Sequence, residues 1–300
     1  MNKLKVAVLA ACMFAAASAS AVLAAGADEK TVKVQALRGP LQLLQGQGGN
    51  VVASVGLDGI LLIDNDYSEW GPVYEEVIAK FTEGALLPSF VVNTHWHFDH
   101  SGNNEYWAGR GAVILAHDNV RVRMAAGQTI EALDREIAPS PPLALPMVTF
   151  ADSLALHFNG DTLEVQHYPG GHTDGDSVVF YARENVVHMG DLFFKDRFPF
   201  IDLSSGGTVA GYIRNVEAVL ARVDDDTLIV PGHGSLASRA DLERYLGMLK
   251  STTNAVQGAL DKGMSIEEIT GLTLGAKWAA WGKGFIDEPA WIATIAADHR

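Results

Sequence analysis

Four side chains able to hold a metal ion fall within six residues in the segment His95-Trp96-His97-Phe98-Asp99-His100. On an extended backbone alternate residues point to opposite sides, so His95 and His97 share one side and the rings of Trp96 and Phe98 the other. Asp99 and His100 follow as the chain turns. Two imidazoles with a carboxylate suit zinc, and the same donors accept iron or manganese. Three later segments each place one further donor in a glycine-containing turn: Gly170-Gly171-His172-Thr173, Met189-Gly190-Asp191 and Pro231-Gly232-His233-Gly234. A Gly-Asp turn alone is commonplace. All three, in order after the cluster of six, point to one assembled centre. Zinc there would lower the pKa of a bound water to ~7 and polarise a carbonyl, so the expected chemistry is hydrolysis.

Such donors need strand ends to hold them. Phe90-Val91-Val92 reads as a buried strand running directly into Asn93-Thr94-His95. Residues 41–44, 51–55 and 60–63 are short apolar runs separated by glycines and read as strands, with another at 113–116. Residues 74–81 have helical spacing, and a helix is expected from about 118 to 134. Beyond Pro141, Pro142 and Pro146 a second strand series covers 148–150, 154–158, 163–166, 177–181 and 186–188. A helix at 209–221, a strand at 228–230 and a long helix at 242–262 complete it. Each half is several strands followed by helix, which predicts layered sheets with helices outside. A pseudo-duplicated single domain of ~270 residues fits better than two independent ones.

The 300 residues are 48% hydrophobic and 19% charged, enough apolar material for a sizeable core. The net charge of −14 excludes a uniform nucleic-acid-binding surface. Lys3 and Lys5 precede an apolar, alanine-rich run to about Ala25, and no acid appears before Asp28. This predicts a secretory signal at residues 1–25 and a mature domain at 26–300, periplasmic or secreted and off the membrane once cleaved. The competing reading is a retained anchor, since the run is about the ~20 residues a span needs. Leu9-Ala10-Ala11-Cys12 also resembles a lipoprotein box, though an early one. Cys12 is the only cysteine, so the mature chain has neither disulfides nor thiolate ligands. Loss of Lys3 and Lys5 leaves 20 basic against 36 acidic residues, a net −16.

The ordered set from His95 to His233 resembles the metallo-β-lactamase-fold hydrolase superfamily. The resemblance implies an α/β fold, a four-layer αβ/βα sandwich with a two-metal site at one edge. It further implies two Zn²⁺ per chain: His95, His97 and His172 hold the first, Asp99, His100 and His233 the second, and Asp191 bridges them. Asp99 would then also be catalytic, orienting a metal-bridging hydroxide for attack on a carbonyl. One departure matters. The best-known β-lactamases of this superfamily place a cysteine where Asp191 falls, or no ligand at all. Asp191 instead resembles the bridging aspartate of thioesterase, lactonase and phosphodiesterase branches. The expected substrate is a small carbonyl compound, β-lactam first and lactone or ester next. A site of net charge about +1 with metal and hydroxide in place favours one bearing a carboxylate. The alternatives are a mononuclear iron oxidoreductase resembling persulfide dioxygenases, a glyoxalase-II-like thioesterase, and a non-catalytic zinc-binding protein. Export argues against the glutathione thioester, which belongs to a reducing cytosol.

Lys195 and Arg197, with Phe198, are the candidate substrate contacts, a cation there being able to hold a carboxylate. The competing reading is a surface ion pair with Asp196. Trp70, Phe198 and Phe200 either wall a pocket or pack the core. Trp278 and Trp281 either pack the last helix or form a lid. His157 and His167 are expected to be structural, His117 a helix cap or surface group, and His299 solvated. His188, three residues before Asp191, is a candidate partner for a ligand.

Overall fold

The first strands follow one another across short turns: β1 (Lys33–Ala36), β2 (Leu41–Gln45), β3 (Val51–Gly56) and β4 (Gly59–Ile63) pair antiparallel. Helix α1 (Gly71–Phe81) then crosses over, so that β5 (Pro88–Val92) lies parallel to β4. Short helices α2 (Phe98–Ser101) and α3 (Asn104–Ala108) lead to β6 (Val113–His117), again parallel. After α4 (Asp118–Ala126) a small hairpin, β7 (Gln128–Ile130) and β8 (Arg135–Ile137), stands apart from both large sheets. β9 (Val148–Phe150) closes a seven-stranded sheet of order β1-β2-β3-β4-β5-β6-β9. The second sheet has five strands in sequence order: β10 (Ser153–Phe158), β11 (Asp161–His167), β12 (Ser177–Tyr181), β13 (Val186–His188) and β14 (Leu228–Val230). Helix α5 (Val209–Leu220) makes the crossover to β14, and α6 (Arg239–Leu260), α7 (Ile266–Thr270) and α8 (Glu288–Asp298) follow. This computed structural model describes residues 30–82, 86–271 and 273–299. The expected signal sequence and Cys12 lie outside the described residues.

The layering follows from period-two alternation on strands buried on both faces. Leu41, Leu43, Leu61 and Ile63 of the first sheet meet Leu163, Val165, Val179 and Tyr181 of the second in a shared inner core. The alternate residues Leu44, Ile60 and Leu62 face outward onto Trp70, Tyr74 and Ile78 around α1 and onto Trp107 of α3. On the other side Val178, Phe180 and Ile229 carry Tyr212 and Val216 of α5, Leu249 of α6 and Trp291 of α8. The result is a four-layer αβ/βα sandwich, as the sequence implied.

Two expectations change. The helix expected over residues 118–134 ends at Ala126, because Gly127 takes φ 72° and turns the chain into the β7–β8 hairpin, itself reversed at Asp134 with φ 48°. The long helix begins three residues early, at Arg239, where Ser238 and Asp241 form a reciprocal capping box. Trp278 and Trp281 are core residues rather than a lid, Trp281 lying parallel to the Tyr245 ring with centroids 6.1 Å apart.

Candidate metal centre

All seven expected donors converge where strands of both sheets end. β5 runs out at Val92 into Asn93, Thr94 and His95, and α2 turns Asp99 and His100 back over the same spot. From the second sheet β11 leads to His172, β13 to Asp191 and β14 to His233. Donor atoms of His95, His97, His172 and Asp191 lie within 4.8 Å of one another, as do those of Asp99, His100 and His233. Asp191 Oδ2 is 3.6 Å from His172 Nε2 and 3.9 Å from His95 Nε2. Its Oδ1 is 3.1 Å from His100 Nε2 and 3.4 Å from His233 Nε2. One carboxylate therefore faces both groups, one oxygen to each. Gly232 makes this approach possible: a Cβ there would sit 2.0 Å from Asp191 Oδ1.

Outward-facing hydrogen bonds fix which nitrogen of each ring is free. Thr94 Oγ1 donates to Asp64 Oδ2 at 2.8 Å, so it accepts from His95 Nδ1 at 3.1 Å and leaves Nε2 as the lone-pair atom. That Nε2 is buried and has no hydrogen-bond partner. His100 Nδ1 donates to the same Asp64 oxygen at 2.7 Å, and His172 Nδ1 to the Phe200 carbonyl at 2.8 Å. His97 is reversed: Nε2 bonds Asp202 at 3.1 Å, turning Nδ1 inward to 2.8 Å from His172 Nε2. His95, His97 and His172 thus aim ring lone pairs into one donor set while His100 turns its Nε2 to the neighbouring one, each beside a carboxylate, the arrangement that a zinc-like ion requires. The residues fit the metals.

The charges say the same. Burial drives the His95 imidazole well below its ordinary range and takes His172 down to about 4, so both are neutral ligands. Burial opposes charge on Asp99 as well, yet His100 and His233 hold its carboxyl down at about 2. Against the same burial, Asp191 and Asp99 lift His233 to about 9 and raise His100 well above the usual value. Without a cation, protons on His100 and His233 balance the carboxylates. A metal ion would take over that role.

Several contributors are invisible in the sequence pattern. Asp64 stands just past β4 with φ 60°, a left-handed conformation that costs an aspartate roughly 1 kcal/mol and is held here by Thr94 and His100. Asp202 orients His97 from 105 residues away. The Asp176 carboxylate accepts from the His172 and Thr173 amides and the Thr173 hydroxyl; burial pushes its carboxyl up to about 8. Tyr212 donates its hydroxyl to the Asp191 carbonyl at 2.8 Å. The only advance signal for Asp64 was an Asp-Asn-Asp run following a buried strand.

Over the centre opens a cavity of ≈ 420 Å³, within the usual range of ligand pockets of about 300–1,000 Å³. Asp99, Asp191, His97 and His233 lie at its floor, with Phe194, Phe198 and Phe200 along one side. Tyr67 and Phe98, Ile130, Leu133 and Arg135 from the hairpin, and Phe285 with Ile286 complete it. Of the expected substrate contacts, Arg197 and Phe198 reach the cavity. Lys195 does not: its ammonium donates to the Leu236 carbonyl at 2.7 Å and pairs with Asp241 at 3.2 Å. Asp196 pairs with Arg244, leaving Arg197 without the surface ion pair considered for it. Trp70 is core, bonded through Nε1 to Gln47. His188 bonds the Asn50 carbonyl rather than a ligand, and His117 caps α4 while stacking on His167 at 3.6 Å. His157 is exposed and bonds Thr162; His299 lies exposed at the chain end, 3.9 Å from Asp261.

Comparison with known proteins adds a family to this geometry. The sequence profile of the metallo-beta-lactamase superfamily matches residues 80–233. Metallo-beta-lactamase type 2 of Bacteroides fragilis is 27% identical over 150 residues, 50% of this chain and 54% of that protein, so the match spans about half of that relative. Hydroxyacylglutathione hydrolase GloC of Haemophilus influenzae is 25% identical over 178 residues, 59% of this chain and 83% of that protein. Among solved structures, a metallo-beta-lactamase from Pontibacter korlensis superposes with a TM-score of 0.60 at 18% identity, covering 73% of this chain and 99% of that one.

Proposed function

The chain belongs to the metallo-beta-lactamase superfamily, and from that membership we propose that it is a metal-dependent hydrolase of small carbonyl substrates, working with two zinc ions. The observation that carries the reading is Asp191, whose two oxygens face two separate sets of donors. His95, His97 and His172 would hold one ion, Asp99, His100 and His233 the other. The metals supply Lewis acidity and lower the pKa of water to ~7.

The chain's own groups do the rest. Asp99 is ionised at neutral pH and lines the cavity, so it orients the attacking water and accepts its proton. Asp64 and Asp202 keep the lone pairs of His100 and His97 inward. The phenylalanines of the cavity wall exclude bulk water from the reacting carbonyl. β-Lactams rank first as substrates and lactones or esters next; the β-lactamase relative supports that order and the hydroxyacylglutathione hydrolase relative keeps thioesters third. A carboxylate that faces both donor sets, with His100 and His233 completing the second, favours this over a single-iron oxidoreductase. The apolar, alanine-rich run that follows Lys3 and Lys5, read as a secretory signal, supports a periplasmic or secreted site of action.

Hydrolysis of a chromogenic cephalosporin by the zinc-loaded protein, beside a chelated sample, is the direct test. Turnover lost on chelation and restored by zinc supports the reading. A verified two-zinc sample that opens neither the cephalosporin, a lactone nor a thioester overturns it.

A further inference from the structure

Two arginines that line the cavity donate no side-chain hydrogen bond among the described residues. Every other described arginine donates a side-chain hydrogen bond to a carbonyl or a carboxylate. Arg135 and Arg197 donate none, and no described carboxylate lies within 4.0 Å of either. In a chain of net charge −14 that is a costly vacancy to leave by chance.

Each is presented by local structure. Arg135 lies directly opposite Ile130 in the β7–β8 register, so both side chains share the face that meets the cavity, while Glu136 alternates to the other. Glu131, Asp134 and Glu136 all sit on this hairpin, and none pairs with Arg135. Its guanidinium carbon instead stands 3.8 Å from the centre of the Phe98 ring, which fixes the plane and leaves the N–H groups free. Arg197 follows Lys195 and Asp196, both of which are engaged by α6. Its stem passes over Gly284, where a Cβ would come within 3.1 Å of the Arg197 Cβ. Beside them Phe285 is 68% exposed at the cavity mouth, its ring edge-on to Phe200 at 6.1 Å.

We propose that the substrate is an anionic amphiphile: a small ester or amide whose carboxylate, or an equivalent oxyanion, is taken by Arg135 and Arg197 and whose apolar arm covers Phe285 and Phe200. The proposal rests on the hydrolase reading above and narrows its substrate class. Guanidinium groups suit such an oxyanion because their fork donates paired, charge-assisted hydrogen bonds. The exposed phenylalanine gains cover only when an apolar group enters.

The test uses two matched nitrophenyl esters on the zinc-loaded protein, one of an eight-carbon diacid with a free carboxylate and one of the eight-carbon monoacid. The carboxylate ester is expected to have a kcat/KM about tenfold higher, carried by KM, with the ratio shrinking as salt is raised. Arg135→Gln and Arg197→Gln should each reduce that ratio several-fold. A ratio near one, or one that neither substitution moves, overturns the proposal. Binding of anilinonaphthalene sulfonate, an aromatic anion followed by fluorescence, needs no turnover and separates the two readings. Salt-sensitive, arginine-dependent binding with no hydrolysis of either ester keeps the anion site and removes the hydrolase. Hydrolysis with neither arginine dependence nor anion preference does the reverse.

Discussion

At the scale of single residues, the site divides into donors and the groups that aim them. The donors were legible because ligand types crowd into His95–His100 and recur in three glycine turns. Their supports were not, since Asp64 reaches His100 across 36 positions and Asp202 reaches His97 across 105. No local pattern encodes a pairing that only the fold creates. Asp99→Asn keeps shape but loses the charge that receives the proton and helps hold the second ion, and should cut kcat by at least about 100-fold with the circular-dichroism spectrum of the folded chain unchanged; an undiminished rate would falsify its role. Asp64→Ala leaves the His100 Nδ1–H unpaired and the left-handed turn unsupported. It should weaken the more easily removed zinc by about 10–100-fold, read by competition with a chromogenic chelator. Gly232→Ala drives a methyl into Asp191 and should lower metal content directly, as counted by elemental analysis.

At the scale of elements, the short apolar runs of β2, β4 and β12, each series followed by helix, predicted the layers, since a strand buried on both faces is apolar nearly throughout. The stretch 118–134 misled because its first nine residues are a true helix and the remaining eight carry no strong period of two. The φ value of Gly127, rather than any hydropathy, ends that helix. The hairpin matters more than its length suggests, because it supplies one wall of the cavity. Of the outer helices, α8 is anchored by Trp291, fully buried and donating Nε1 to Thr252 at 3.0 Å. Trp291→Ala should cost about 3–5 kcal/mol, measured by denaturant unfolding of the zinc-free protein. A loss under about 1 kcal/mol would mean that α8 contributes little to the packing of α5 and α6.

At the scale of the whole molecule, metal and proton compete for one pocket of charge. His233 is lifted to about 9 in the metal-free site, and an ion can bind it only as a neutral imidazole. Below pH 9 a zinc entering the Asp99, His100 and His233 set must therefore expel protons, and its affinity falls as the pH is lowered. Titration calorimetry at neutral pH in two buffers of different ionisation enthalpy should give different apparent heats; identical heats would contradict this charge balance. Loading should also raise stability, by about 4 kcal/mol when free zinc is 1,000 times its dissociation constant.

The ligands arrive from both halves: His95, His97, Asp99 and His100 from the seven-stranded sheet's edge, His172, Asp191 and His233 from the five-stranded one. Neither half owns a complete coordination sphere. An ion held there would be a rivet across the seam between the two sheets, and a chain with only one half formed would have nothing with which to keep it. On the proposed function, metal capture would act as a proofreading step in maturation: reactivity would switch on only after both halves have docked, leaving a half-folded chain harmless to the compounds around it.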